Sequence, residues 1–75
     1  MSIEQLVVSD PETMGGTPVF AGTRVPIKNL MDYLEGGDNL DEFLDDFPSV
    51  SREQVIQLLE LAKETIVAQA LARAA

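Results

Sequence analysis

The 75-residue chain contains no cysteine, no histidine and no tryptophan. Without cysteine, neither disulfides nor thiolate metal sites can reinforce a core, and an oxidising compartment gains no support. Without histidine, zinc, haem and neutral-pH acid–base chemistry lack their commonest ligand or proton carrier. Positive charge is scarce as well: five Lys and Arg stand against thirteen Asp and Glu, for a formal net charge of -8. From Asn29 to Ser51 there are seven carboxylates and no cation. Such a field repels phosphate backbones and attracts basic surfaces, which disfavours nucleic acid as a partner of this chain alone. No window approaches the ~20 apolar residues of a membrane span. The opening "MSIEQLVVSD" has neither the basic region nor the apolar run of a signal peptide. A soluble, cytoplasmic protein is the expectation.

A chain of this length makes one domain, here residues 1–75, that buries roughly 60% of the surface its unfolded form exposes. Small domains without staples often gain stability by associating, so a second polypeptide is expected, first of all another copy in a homodimer. The fold class read from the pattern is mainly α: a small three-helix bundle of helix-turn-helix or homeodomain-like type over 26–75, behind a short extended or β arm over 1–25. In the arm, "IEQLVVS" (3–9) reads as a short strand and "DPETMGG" as a turn, since Asp-Pro favours turn initiation. Residues 17–25 read as extended, with Ala21-Gly22 fitting either the bend of a tight hairpin or a bulge in one strand.

Pro26 suits a first helical position, and Ile27, Leu30, Met31 and Leu34 follow at i, i+3, i+4 and i+7, which is one amphipathic face. Gly36 and Gly37 end that helix. Asn39 with Glu42 has the spacing of a capping box; Leu40, Phe43, Leu44 and Phe47 form the next stripe, which Pro48 stops. Ser51 with Gln54 makes another capping box, and Val50 with Val55 a hydrophobic staple. The third helix places Val55, Leu58, Leu59, Ala62 and Ile66 on one face. Leu61, Val67 and Leu71 fall outside that stripe. Two short helices cannot cover so long a rod, and the spacing points to docking of its outer residues against a second subunit or another protein. The opposing explanation is a broad core face with a frayed, alanine-rich end.

No catalytic, cofactor or metal site is expected. "DYLEGGDNLDEF" misses the ligand register of a calcium loop, "FAGT" lacks the lysine and length of a P-loop, and no cleft is evident that would pair the carboxylates for hydrolysis. The acidic run also serves to keep a small apolar protein in solution. Arg24 is a lone cation among small and apolar residues. Its planar fork of five donors suits a structural tie from the arm to Asp45 or Asp46.

The segments "DPETMGGTPVFAGTRVPIKNLMDYLEGG" and "LDEFLDDFPSVSREQV" resemble domain-of-unknown-function family 433. That pattern places a Gly-x-Pro, a Gly-Thr-Arg, a helix ending in glycine, then an acidic helix closed by proline. Gly22, Thr23, Arg24, Gly37 and Pro48 occupy its structural positions, and Asn39 stands where serine is the expected helix start. The resemblance covers residues 10 to about 62. It implies a homeodomain-like three-helix fold and, because many members are encoded beside a PIN-like ribonuclease toxin, a type II antitoxin. On that reading an acidic surface covers the basic rim of the nuclease, and Leu61, Ile66, Val67 and Leu71 are the candidate apolar anchors. A further reading has Arg24 or Lys28 reach the metal-binding carboxylates of the nuclease. The alternative function is a helix-turn-helix DNA-binding regulator. The start of the third helix, with Arg52, Gln54 and Gln57 beside Glu53, offers little to base edges or phosphates.

Overall fold

The computed structural model describes residues 3–12 and 14–74. In chain order it contains α1 (Ile3–Leu6), β1 (Val7–Val8), a short 3₁₀ turn at Met14–Gly16, β2 (Val19–Phe20), α2 (Ile27–Glu35), α3 (Leu40–Asp46) and α4 (Arg52–Ala74). This is a mainly helical bundle of α2, α3 and α4 with a short β arm. The strand expected over 3–9 is confined to Val7–Val8, because Ile3–Leu6 turns helically. In an extended 3–9 segment each face would mix apolar with polar side chains. The helical turn instead sinks Leu6 alone, and its carbonyl accepts from Ala21 N–H at 2.9 Å. The turn after β1 begins at Asp10, whose carboxylate accepts from Glu12 N–H at 2.9 Å.

β2 is hydrogen-bonded along both of its edges. On one side it pairs antiparallel with β1, Val7 opposite Phe20 and Val8 opposite Val19. On the other, the chain folds back as a hairpin: Phe20 N–H donates to Val25 O at 3.0 Å, Ile27 N–H donates to Pro18 O at 3.0 Å, and Val19 bridges Pro26. Ala21-Gly22 is therefore a hairpin bend, with Gly22 at φ 75°. Positive φ at that position is the requirement a glycine meets without steric cost. Thr23 locks the bend twice, its hydroxyl donating to Phe20 O at 2.8 Å and accepting from Val25 N–H at 3.0 Å.

The hairpin also moves the start of α2. Pro26 stands one place before the first helical residue, extended at ψ 139°, because it is held in the bridge to Val19. At its far end α2 closes with a Schellman motif: Asp38 N–H donates to Tyr33 O at 2.9 Å and Gly37 N–H to Leu34 O at 3.2 Å, around Gly37 at φ 91°. Asn39 caps α3 by accepting from Glu42 N–H at 2.9 Å. Among the described residues the return bond of the expected capping box is missing; Asn39 and Glu42 are both exposed, where water serves as well. At α4 both halves of the box are present, Gln54 N–H donating to Ser51 Oγ at 3.1 Å and Ser51 N–H to Gln54 Oε1 at 2.9 Å. Gln54 has a third bond as well: its Nε2 donates to Ala21 O at 2.9 Å, clipping the hairpin bend onto the first turn of α4.

The core gathers Phe20, Val25, Leu30, Phe43, Val50, Val55 and Leu58. The chain has only three phenylalanines and one tyrosine, and all four form one cluster. Phe43 is its hub, with ring centroids 6.1 Å from Phe20, 5.4 Å from Tyr33 and 5.0 Å from Phe47. The Tyr33 edge-on contacts keep its hydroxyl at the surface, where it donates to Asp46 Oδ2 at 2.5 Å. That hydrogen bond, with burial and the neighbouring negative charges, raises the Tyr33 pKa above the usual tyrosine value.

The inner stripe of α4 stops earlier than its spacing predicts. Val55 and Leu58 are buried and Leu59 and Ala62 half-buried, but Ile66 is 66% exposed. Length explains this, since at 1.5 Å per residue α4 runs about 34 Å and α2 only about 14 Å. From Lys63 to Ala74 every residue of the helix is exposed.

Candidate functional site

Two apolar depressions on the surface share Ile3 and Leu58. One is completed by Leu61, Ala62, Thr65 and Ile66 of α4. The other runs over Val7, Thr17, Pro18 and Ile27 to Lys28. Together they form a shallow groove from the free part of α4, past α1, onto the arm. Three of the sequence-derived candidates, Lys28, Leu61 and Ile66, lie along it. Val67 and Leu71 do not. Helical geometry turns them about 160° and 120° away from Thr65, near the middle of the groove's α4 lining, and they are 51% and 67% exposed. Ile3 is the participant that sequence reasoning missed. It is 55% exposed, and nothing in a heptapeptide read as a strand shows that it will stand against a helix more than fifty residues away. Leu58 and Ile27, read as core positions, border the groove too.

Arg24 has a different place from the one its chemistry suggests. The tie to Asp45 or Asp46 is not made: Arg24 is exposed and has no ion pair among the described residues, and the Asp46 carboxylate receives the Tyr33 hydroxyl instead. Thr23 already holds the bend, so the guanidinium has no structural duty to perform. Of Gly22, Thr23 and Arg24, the first two build the hairpin and the third is displayed by it. Replacing Arg24 by alanine is accordingly expected to change folding stability by no more than ~0.5 kcal/mol, the usual range for exposed positions. A thermal melt shifted down by many degrees would show a buried role that the geometry does not contain.

Charge is distributed unevenly over the surface. All seven carboxylates between Asn29 and Ser51 are exposed. Lys28 pairs with Asp32 at 2.7 Å, and Arg52 with Asp41 across the α3–α4 connection. Glu35, Asp38, Glu42 and Asp45 have no cationic partner among the described residues. The hydrogen bond to Asp32, then its charge, raises the Lys28 pKa, and Glu60 does the same for Lys63, so both stay cationic through the neutral range. In contrast, residues 65–74 of α4 carry a single charge, Arg73. Among the described residues no three acidic side chains come together in a group that would hold a metal ion. Among the described residues no helix is long and apolar enough to cross a membrane.

Comparison with known proteins reaches the level of family. The chain is 35% identical over 51 residues to the uncharacterized protein y4eO of Sinorhizobium fredii, a match that spans 68% of this chain and 23% of that protein. The chain thus corresponds to less than a quarter of the length of that relative. No solved structure matches it. The family described as Protein of unknown function (DUF433) matches residues 7–62, from β1 through the hairpin, α2 and α3 to the half-buried part of α4. With Gly-Thr-Arg at the hairpin bend and the glycine-closed α2 both inside that span, the chain belongs to the DUF433 family.

Proposed function

We propose that the chain is a non-enzymatic binding module, an antitoxin that sequesters a PIN-like ribonuclease. The observation that carries this reading is the free end of α4. Ile66, Val67 and Leu71 are each more than half exposed on a helix, uncovered by the other described residues. Exposed apolar surface on a helix is the usual anchor for a partner, and it supplies residence time once the partner has arrived. Arrival is the task of the acidic α2–α3 surface. A ribonuclease gathers basic residues around its RNA path, and the uncompensated carboxylates complement them as RNA phosphates would. Arg24, held out by the hairpin, is a second contact on this reading, able to bind carboxylates of the nuclease in bidentate fashion.

DNA reading by α4 has little support. Gln54 is occupied by the cap and by Ala21 O, Gln57 Nε2 donates to Glu53 Oε1 at 3.2 Å, and Arg52 is paired with Asp41. These are the polar groups a reading helix would offer to base edges.

The test is co-expression of the chain with the product of the neighbouring open reading frame. A complex that co-purifies and persists at 0.5 M salt, together with relief of growth arrest, is the expected result. Duplex DNA bound by the chain alone, with an affinity that falls steeply with salt, would favour the regulator instead.

A further inference from the structure

The geometry points to a second copy of this chain as the occupant of the groove face of α4, the two α4 helices lying antiparallel about a two-fold axis at Thr65. Leu58, Leu61, Thr65, Ala68 and Ala72 follow one another at alternating steps of three and four, the spacing of a seam between paired helices. None of the five is ionisable. The neighbouring rows of the same spacing contain Glu60, Lys63, Glu64 or Arg73. In a chain of net charge -8, a like-charged copy can approach closely only where neither surface bears charge.

The seam is also complementary to itself. Its first half carries leucines and its second half alanines, so an antiparallel pairing centred on residue 65 sets Leu58 opposite Ala72 and Leu61 opposite the Ala68–Gln69 step. Large side chains then meet small ones along the whole contact. A parallel pairing would set leucine against leucine and leave a gap between the alanines. At the centre, the Thr65 hydroxyl is already satisfied, donating to Leu61 O at 2.8 Å. No hydroxyl donor is stranded at the axis. The partner's alanine end passes over Leu58 toward Ile3, which this contact would cover. An isologous two-fold contact closes on itself and goes no further. Val67 and Leu71 remain outside it while Ile66 borders the same groove, so the pairing is tested on the chain alone, with no ribonuclease present.

The natural chain has no cysteine, which makes a direct test available. Thr65→Cys introduces a single thiol on an exposed helical surface, where folding is not at stake. At the axis it faces its own copy, and mild oxidation is expected to give a covalent dimer in high yield, with Val67→Cys as the off-axis control giving little. Wild-type protein should show twice the chain mass in light scattering, and Ala68→Glu, an exposed substitution on a good helix position, should weaken that association by ~100-fold or more while leaving helicity unchanged. A wild-type monomer at millimolar concentration, or cross-linking through position 67 in preference to 65, would overturn the proposal.

Discussion

Replacing Phe43 by alanine is expected to bring the domain to the edge of unfolding at room temperature. The ring is fully buried, and it is the one member of the aromatic cluster that touches each of the others. Removing a buried phenylalanine costs ~3–5 kcal/mol in lost transfer energy and cavity formation. A domain of this size holds only roughly 4–11 kcal/mol of stability at ~0.05–0.15 kcal/mol per residue. The melting midpoint should therefore fall by ~12–40 °C. Collapse of the site is limited, because Phe20 comes from the hairpin, Tyr33 from α2 and Phe47 from the end of α3, and each is held in place by its own backbone bonds. A loss below 1 kcal/mol in a denaturant titration would mean that the three remaining rings close the gap, and that the hub is not a hub.

A comparable effect on binding is expected from Val67→Asp combined with Leu71→Asp. The two side chains are 51% and 67% exposed and touch none of the buried core, so the free chain should keep its melting midpoint and helicity. Affinity for the ribonuclease should fall by ~100-fold or more, because truncating or charging one apolar anchor of this kind typically costs ~2–4 kcal/mol. Most of the loss belongs in the dissociation rate; the association rate depends on the acidic α2–α3 surface and should respond to salt instead. Full-strength binding by the double variant would place the nuclease elsewhere on the molecule, with the Ile3 groove and Arg24 as the next surfaces to vary.

The elements from α2 onward are legible in the sequence because their boundaries are set by local chemistry. Gly37 at positive φ, Asn39 at a cap, and Ser51 with Gln54 act through bonds between residues no more than five apart, and such bonds follow from spacing alone. The arm is legible only in part. Its turn residues identify the bend at Ala21-Gly22, but the choice between hairpin and bulge depends on Pro18 and Ile27 meeting across it. The helical turn at Ile3–Leu6 likewise depends on where Leu6 can be buried. The site divides in the same way. An apolar excess on α4 is visible from periodicity, whereas the groove unites residues 3, 27, 58 and 61, which no local pattern brings together. Arg24 shows the opposite failure: its chemistry fits an internal ion pair so well that the pair is expected, yet Thr23 meets the need with a hydroxyl and leaves the cation outside.

The third hydrogen bond of Gln54 has a consequence for how the molecule opens. A ribbon whose named strands are two residues long cannot persist in water without support. Here part of that support, beside the burial of Phe20 and Val25, comes through one carboxamide that simultaneously starts α4. Fraying of that first turn therefore loosens the ribbon's bend, and the arm and the entrance of α4 are coupled in opening although they are distant in sequence. Any ligand that steadies the α4 entrance would quieten the amino-terminal segment too, and a signal arriving at one would be felt at the other without a change in fold.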